Sequence, residues 1–180
     1  MSNITNRISW YASQIVEIPS YIYHFLFSWM YSTHNLRTKA AVTPFMRVRI
    51  LLLHRSGISI GAKVYIHQGV LVVGTSRKPP AVSIGKRVDI GPSVTFVTSS
   101  MPSFSRLLHH PEVQSAIVVK GCITVEDDVW IGAGVVILPN VTIGKNSLIG
   151  SGAVVTKSIP PFSVAMGTPA RVTRTLTENT

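Results

Sequence analysis

The 180-residue sequence predicts an all-β core wound as a three-sided parallel β-helix, preceded by an N-terminal helical segment. Three observations predict it. Apolar residues recur every sixth position through most of the chain. That period suits neither a helix nor a long strand, but it suits short strands joined by sharp turns around a triangular prism. A second small or aliphatic residue stands four places after most of these leading residues, where it fills a corner of the prism. Glycine follows the leader at Gly132, Gly144 and Gly150, which predicts a corner that needs glycine's conformational freedom.

Residues 1–57 stand apart, with two of the three tryptophans and four of the five tyrosines. Asn6–Val16 and Tyr21–Tyr31 read as helices divided by Pro19. Arg47–His54 reads as a helix running into the first coil and stopped by Gly57. Arg7, Arg37, Lys39, Arg47, Arg49 and Arg55 face only Glu17 in this zone. Aromatic and basic residues together fit two roles, a helical cap over the open end of the coil or a segment lying in a membrane interface. Ile18–Tyr31 is too short, and too interrupted by Pro19, Ser20, His24 and Ser28, to span a bilayer.

Residues 58–160 hold the coil. The first set of leaders is Ile60, Ile66, Val72, Lys78, Ile84, Ile90 and Phe96, with followers Val64, Val70, Ser76, Val82, Val88, Val94 and Ser100. Lys78 breaks the set inside Thr75–Pro80, which reads as a small excursion. The second set is Val119, Val125, Ile131, Ile137, Ile143, Ile149 and Val155, with followers Ile123, Val129, Val135, Val141, Ser147, Ala153 and Ile159. Phe96 and Val119 are 23 residues apart, so the phase slips across an inserted loop at 101–118. About four to five coils are expected. Residues 161–180 read as a C-terminal tail.

Lys and Arg number 17 against 7 Asp and Glu, a formal charge of +10. With 46% hydrophobic and 13% charged residues, the chain is not a disordered polar one. The charge favours an anionic partner, whether nucleic acid, lipid or a phosphate-bearing ligand. The single cysteine, Cys122, allows no internal disulfide, and no Cys/His spacing fits zinc. No metal is expected. The chain reads as cytoplasmic, either free or peripheral at the inner face of the membrane.

Val125–Ile143 runs V-E-D-D-V-W-I-G-A-G-V-V-I-L-P-N-V-T-I, and V-T-K-S-I-P-P and G-T-P-A-R-V follow. These motifs resemble the hexapeptide-repeat acyltransferases of the galactoside and maltose O-acetyltransferase branch, to which polysaccharide O-acetyltransferases also belong. The resemblance runs without gaps over Val119–Arg174 and more loosely over Ile58–Pro102. It implies a left-handed β-helix, a homotrimer with active sites between subunits, and acetyl-CoA as donor. It further implies that backbone amides at Ala133 and Ser151 meet the pantetheine arm. Thr156 and Lys157 are then placed near the phosphates, Arg171 and Arg174 at the nucleotide end, and Trp130 in the cleft near the acyl group.

One position departs from the family. Its general base is a histidine before a proline, seven residues after the follower valine of its coil. Here Val94 is that valine, and the position is Met101, before Pro102. Methionine cannot accept a proton. Three explanations stand. His109 or His110, in the inserted loop, returns to the site. Alternatively His67, matching an acceptor-side asparagine of the family, serves. Or catalysis has been lost, or the donor binds in a different geometry.

The resemblance implies an O-acetyltransferase acting on a sugar hydroxyl in surface polysaccharide or glycolipid assembly. Alternatives are a small acceptor such as a free sugar, serine or an antibiotic, or a CoA-binding scaffold without activity. A trimeric carbonic anhydrase of this fold needs three metal-binding histidines that the sequence does not supply. Nucleic acid is not an expected partner, because the basic residues are spread out.

Overall fold

The computed structural model describes residues 19–27, 32–74, 81–100, 105–116 and 119–177. Within them, each coil gives one short strand to each of three sheets. The first coil holds β1 (Ser59–Ile60), β2 (Tyr65–Ile66) and β3 (Leu71–Val73), and the second β4 (Val82–Ile84), β5 (Asp89–Ile90) and β6 (Thr95–Val97). An antiparallel ribbon of β7 (Ser99–Ser100) and β8 (Val119–Lys120) then leaves the prism. The third coil holds β9 (Ile123–Val125), β10 (Trp130–Ile131) and β11 (Val136–Ile137). The fourth holds β12 (Thr142–Ile143), β13 (Leu148–Ile149) and β14 (Val154–Val155). β15 (Ser163–Met166) extends the stack, and β16 (Arg171–Thr175) folds back antiparallel on it.

Parallel pairing stacks β1, β4, β9 and β12 in sheet A, β3, β6, β11 and β14 in sheet C, and β2, β5, β10, β13 and β15 in sheet B, which β16 closes. The leaders stack on one another in register, as Ile90 with Ile131 and Ile131 with Ile149. Leaders and followers together fill the prism, with Phe96 the one aromatic among the buried apolar side chains of the described residues. Burying these aliphatic side chains is the main stabilising term, roughly 1.5–3 kcal/mol for each that is fully buried.

Register corrects the hexad at its breaks. Val119 and Ser100, expected to point inward, instead pair with each other in the ribbon, where Val119 is half-buried and Ser100 exposed. Ile159, expected as the follower of Val155, bridges Ile143 and takes a leader's place. Pro160 and Pro161 follow it directly, and the corner comes two residues early. Leaders in sheet A are 18 residues apart from Val125 to Ile143, but 24 apart from Ile60 to Ile84. The six additional residues correspond to the Lys78 hexad, and 75–80 lie outside the described residues.

The glycine after the leader has a different cause from the one expected. Gly132, Gly144 and Gly150 do not have positive φ. They are glycines for want of room: a Cβ on Gly132 would lie 2.6 Å from the Ser151 nitrogen, and one on Gly144 2.4 Å from the Pro161 nitrogen. The left-handed conformation falls two residues later, at Asp128, Gly134, Asn146 and Gly152. Phe162 has φ +55°, three residues after Ile159, as its place as a leader requires.

At the N-terminal end, residues 19–27 form helix α1, followed by α2 (Thr33–Val42) and α3 (Met46–Arg55). The expected helix at Asn6–Val16, and the end of Tyr21–Tyr31, lie outside the described residues. The Ser32 hydroxyl caps α2 by accepting from the Asn35 N–H at 3.2 Å. Gly57, at φ +88°, ends α3. Leu36 and Ala40 of α2, with Val48, Leu52 and Leu53 of α3, are buried in the same core as the coil leaders. These two helices are therefore the cap.

Two of the cations counted in this zone are not on the surface. Arg37 and Arg49 are 4% and 2% exposed. Arg49 donates to the carbonyls of Ile66 and Thr43, both at 2.5 Å, and Arg37 to that of Gly74. A coil's terminal carbonyls have no next strand to serve, and buried guanidinium groups answer them.

Helix α1 lies against this cap by one side. His24 is half-buried, and burial, reinforced by Lys39, holds its imidazole below the ordinary range. The Arg55 guanidinium stands over the Phe25 ring, 4.9 Å from its centroid. The inserted loop contains a 3-10 helix, Arg106–His109, and α4 (Pro111–Ala116).

Candidate active site

Each coil turns at three corners, and the residue two places after the leader presents its N–H at the bend. At the corner between sheets A and B two of these amides, in the second and fourth coils, are capped from the next coil or the one before. Lys86 donates to Asp127 Oδ1 and Lys145 to Glu126 Oε2, each at 2.8 Å. At the corner between sheets B and C the corresponding residues of the third and fourth coils are Ala133 and Ser151. Among the described residues, neither N–H has a protein acceptor.

These two residues stack directly. Gly152 donates to the Ala133 carbonyl at 2.8 Å, and Gly134 donates to that of Pro92 at 2.9 Å. Ala133, Gly134, Ser151 and Gly152 are all exposed. A Cβ on Gly134 or Gly152 would meet nothing within 4 Å. The edge is thus bare backbone, open to a slender ligand with carbonyl acceptors. Pro92, one coil earlier at the same corner, has no N–H, so the pair of donors begins at the third coil.

Thr156 and Lys157 follow β14 at the other side of sheet C, and both are exposed. The chain returns to this strand when Ala170 donates to the Val154 carbonyl at 2.8 Å. Arg171 therefore starts β16 beside β14. Arg174 pairs with Val164, in line with Leu148 and Trp130 on the outer face of sheet B. The fold brings Ala133, Ser151, Thr156, Lys157 and Arg171 to the last coils around sheet C, and it sets Arg174 over the neighbouring sheet. Trp130 points outward as expected and is 58% exposed.

The histidines divide. His67 lies at the B–C corner of the first coil, exposed, with its ring 4.8 Å from that of Tyr65. Its N–H reaches Ile90, Gly91 reaches Ile131, and Gly132 reaches Ile149. His67 therefore heads a column that continues as glycine, about 10 Å and two strands from Gly132. His109 and His110 are exposed in the inserted loop, whose 3-10 helix packs on α4. They do not join the corner within this chain. Met101 lies outside the described residues.

Sequence reasoning missed a cavity of about 230 Å³ between α2 and β3, lined by Thr33, His34, Arg37, Thr38 and Leu71–Gly74. The i, i+1, i+4, i+5 spacing of its helical residues marks one face, but what that face meets is set by the fold. Among the described residues, no group of three or more His, Cys, Asp or Glu side chains could hold a metal ion.

Residues 122–157 match the family described as bacterial transferase hexapeptide (six repeats). The chain is 40% identical to a galactoside O-acetyltransferase of Escherichia coli over 123 residues, which are 68% of this chain and 56% of that protein. It is 41% identical to the galactoside O-acetyltransferase of Lactococcus lactis over 98 residues, 54% of this chain and 45% of that one. The chain thus spans about half the length of the curated relatives it matches. A hexapeptide-repeat acetyltransferase of Vibrio cholerae, solved with acetyl-coenzyme A, superposes with a TM-score of 0.63 at 28% identity, covering 81% of this chain and 86% of that one. The likeness implies a left-handed hand for the coil. The chain thus carries the six-repeat hexapeptide of the bacterial transferases, on a β-helix that resembles the galactoside O-acetyltransferases.

Proposed function

We propose that this chain is an acetyl-CoA-dependent O-acetyltransferase that acylates a sugar hydroxyl, in surface polysaccharide or glycolipid assembly. The observation that carries the reading is the pair of uncapped N–H groups at Ala133 and Ser151 on a bare edge, with Thr156, Lys157 and Arg171 nearby in the last coils. A pantetheine arm is narrow and offers amide carbonyls to such donors. Phosphates at its far end suit Lys and Arg, which hold them by charge-assisted hydrogen bonds. The Vibrio structure holds acetyl-coenzyme A and the Escherichia relative is named for a galactoside, which supports a thioester donor and a sugar acceptor.

The reaction needs a base, because a hydroxyl that keeps its proton is a poor nucleophile near neutral pH. A histidine takes the proton as the acceptor oxygen attacks the thioester carbonyl. The carbon–sulfur bond breaks, and the departing thiolate is protonated. His67 is supported by its place at the same corner as the two amides. His109 and His110 serve instead if the inserted loop reaches across to a neighbouring subunit. A homotrimer closes the cleft in this reading. It also covers the outer face of sheet C, where Leu71 and Val73 are each 46% exposed.

The test is thiol release from acetyl-CoA with a panel of sugar acceptors, beside light scattering for the trimer. Release that depends on a sugar supports the reading. A wild type that binds CoA but cleaves no thioester with any acceptor overturns it in favour of a CoA-holding scaffold.

A further inference from the structure

Among the described residues, α1 adds no fully buried side chain to the cap. Helices α2 and α3 contribute the buried residues that close the prism, whereas in α1 only Ser20 and His24, one turn apart, are half-buried. Tyr21, Ile22, Tyr23, Phe25, Leu26 and Phe27 are each between 38% and 55% exposed. Ile22, Phe25 and Leu26, at i, i+3 and i+4, share one face. Six large apolar side chains exposed on one short helix is more than a solvent-facing surface ordinarily carries.

The sequence after this helix carries charge of one sign as far as Asp89. Between Glu17 and Asp89 the sequence contains no acidic residue, while ten of the 17 Lys and Arg fall in that interval. Arg37 and Arg49 are spent inside the cap. Arg47 and Arg55 on α3 are exposed. Arg55 stands over the Phe25 ring itself, so cationic and apolar groups share one surface. No described helix is long and apolar enough to cross a membrane.

We infer that α1 lies in the interface of an anionic phospholipid surface, with Ile22, Phe25 and Leu26 entering the acyl boundary and Arg47 and Arg55 meeting the headgroup phosphates. An apolar stripe and a basic flank supply the two attractions that interfacial helices combine. This inference stands apart from the donor corner, which lies at the opposite end of the coil, so the two readings fail separately. If α1 docks this way, the enzyme meets acceptors carried on lipid at the cap end.

The test is co-sedimentation of the full chain with phosphatidylglycerol–phosphatidylcholine vesicles and with pure phosphatidylcholine. The wild type is expected to bind the first and not the second, and to be released by salt. Ile22→Ser/Leu26→Ser should weaken binding about tenfold or more. Arg47→Ala and Arg55→Ala should each weaken it about fivefold. Circular dichroism should show the coil intact in all of them, and thiol release with soluble acceptors should be unchanged. Failure to bind anionic vesicles, or binding by the Ile22/Leu26 variant equal to wild type, overturns the inference. So does a wild-type oligomer that only this variant dissociates, which would make the surface a contact between copies of the chain.

Discussion

Arg87 and Asp128 stand one above the other at the A–B corner, both in the left-handed conformation, and pair through two contacts of 2.6 Å. The hydrogen bond from Arg87, with its charge, holds the Asp128 carboxyl below the usual carboxylate range. A depressed carboxylate stabilises the fold above its unfolded value, near 3.9. That stabilisation is lost as pH falls through the lower, folded value. Asp128→Asn tolerates the same backbone and removes the charge. The variant should melt slightly below wild type at neutral pH, with the gap closing below about pH 4. A gap that is unchanged in acid would mean that the pair contributes nothing through its charge.

The donor corner offers a subtraction that leaves side chains alone. Proline already occupies the second place after the leader at Pro92, Pro139 and Pro161, so the coil accepts it there. Ser151→Pro should therefore keep the melting temperature close to wild type while deleting one uncapped N–H. Calorimetry should show CoA binding weaker by about 0.5–1.5 kcal/mol, the net value of a neutral hydrogen bond.

Lys157 and Arg174 separate two courses for the nucleotide end of the donor. Lys157→Ala should weaken CoA by roughly 1.5–3 kcal/mol, as the loss of a charged contact does. Arg174, in line with Leu148 and Trp130 on sheet B, should show a loss of the same order only if the nucleotide turns onto that sheet. Titrations of both variants against wild type decide it.

The base is found by kinetics. Alanine at the histidine that takes the hydroxyl proton should lower turnover about 10²–10⁴-fold with little change in CoA affinity. His67→Ala tests the residue that heads the same edge in the first coil, and His109→Ala and His110→Ala test the inserted loop. Full activity in all three variants would exclude each of them.

The prism itself was legible because one leader in six is enough to phase a strand, and Ile131, Ile137 and Ile149 hold their places without exception. The breaks were harder to read. Ile159 satisfies either of two positions, and only its pairing with Ile143 shows that the corner arrived early. The donor corner was legible as a resemblance but not as chemistry. That the Ser151 N–H is open while the Lys145 N–H is capped depends on Glu126, which lies close only after the coil is stacked. Arg37 and Arg49 look like any helical cations until the coil places the carbonyls of Gly74 and Ile66 beneath them.

The buried arginines bear on how the coil ends. β1, β2 and β3 are the terminal strands of their sheets, so the first coil is an edge on all three sides at once. Such an edge is a template for another chain, and a prism that stacks in register could grow end to end into a filament. Arg49 and Arg37 occupy carbonyls on that edge, and Gly69 spends its N–H on Ala41 of α2 at 2.9 Å. The cap thus acts as a chain terminator for self-assembly. A protein cut before Ile58 is expected to fail by polymerising rather than by unravelling.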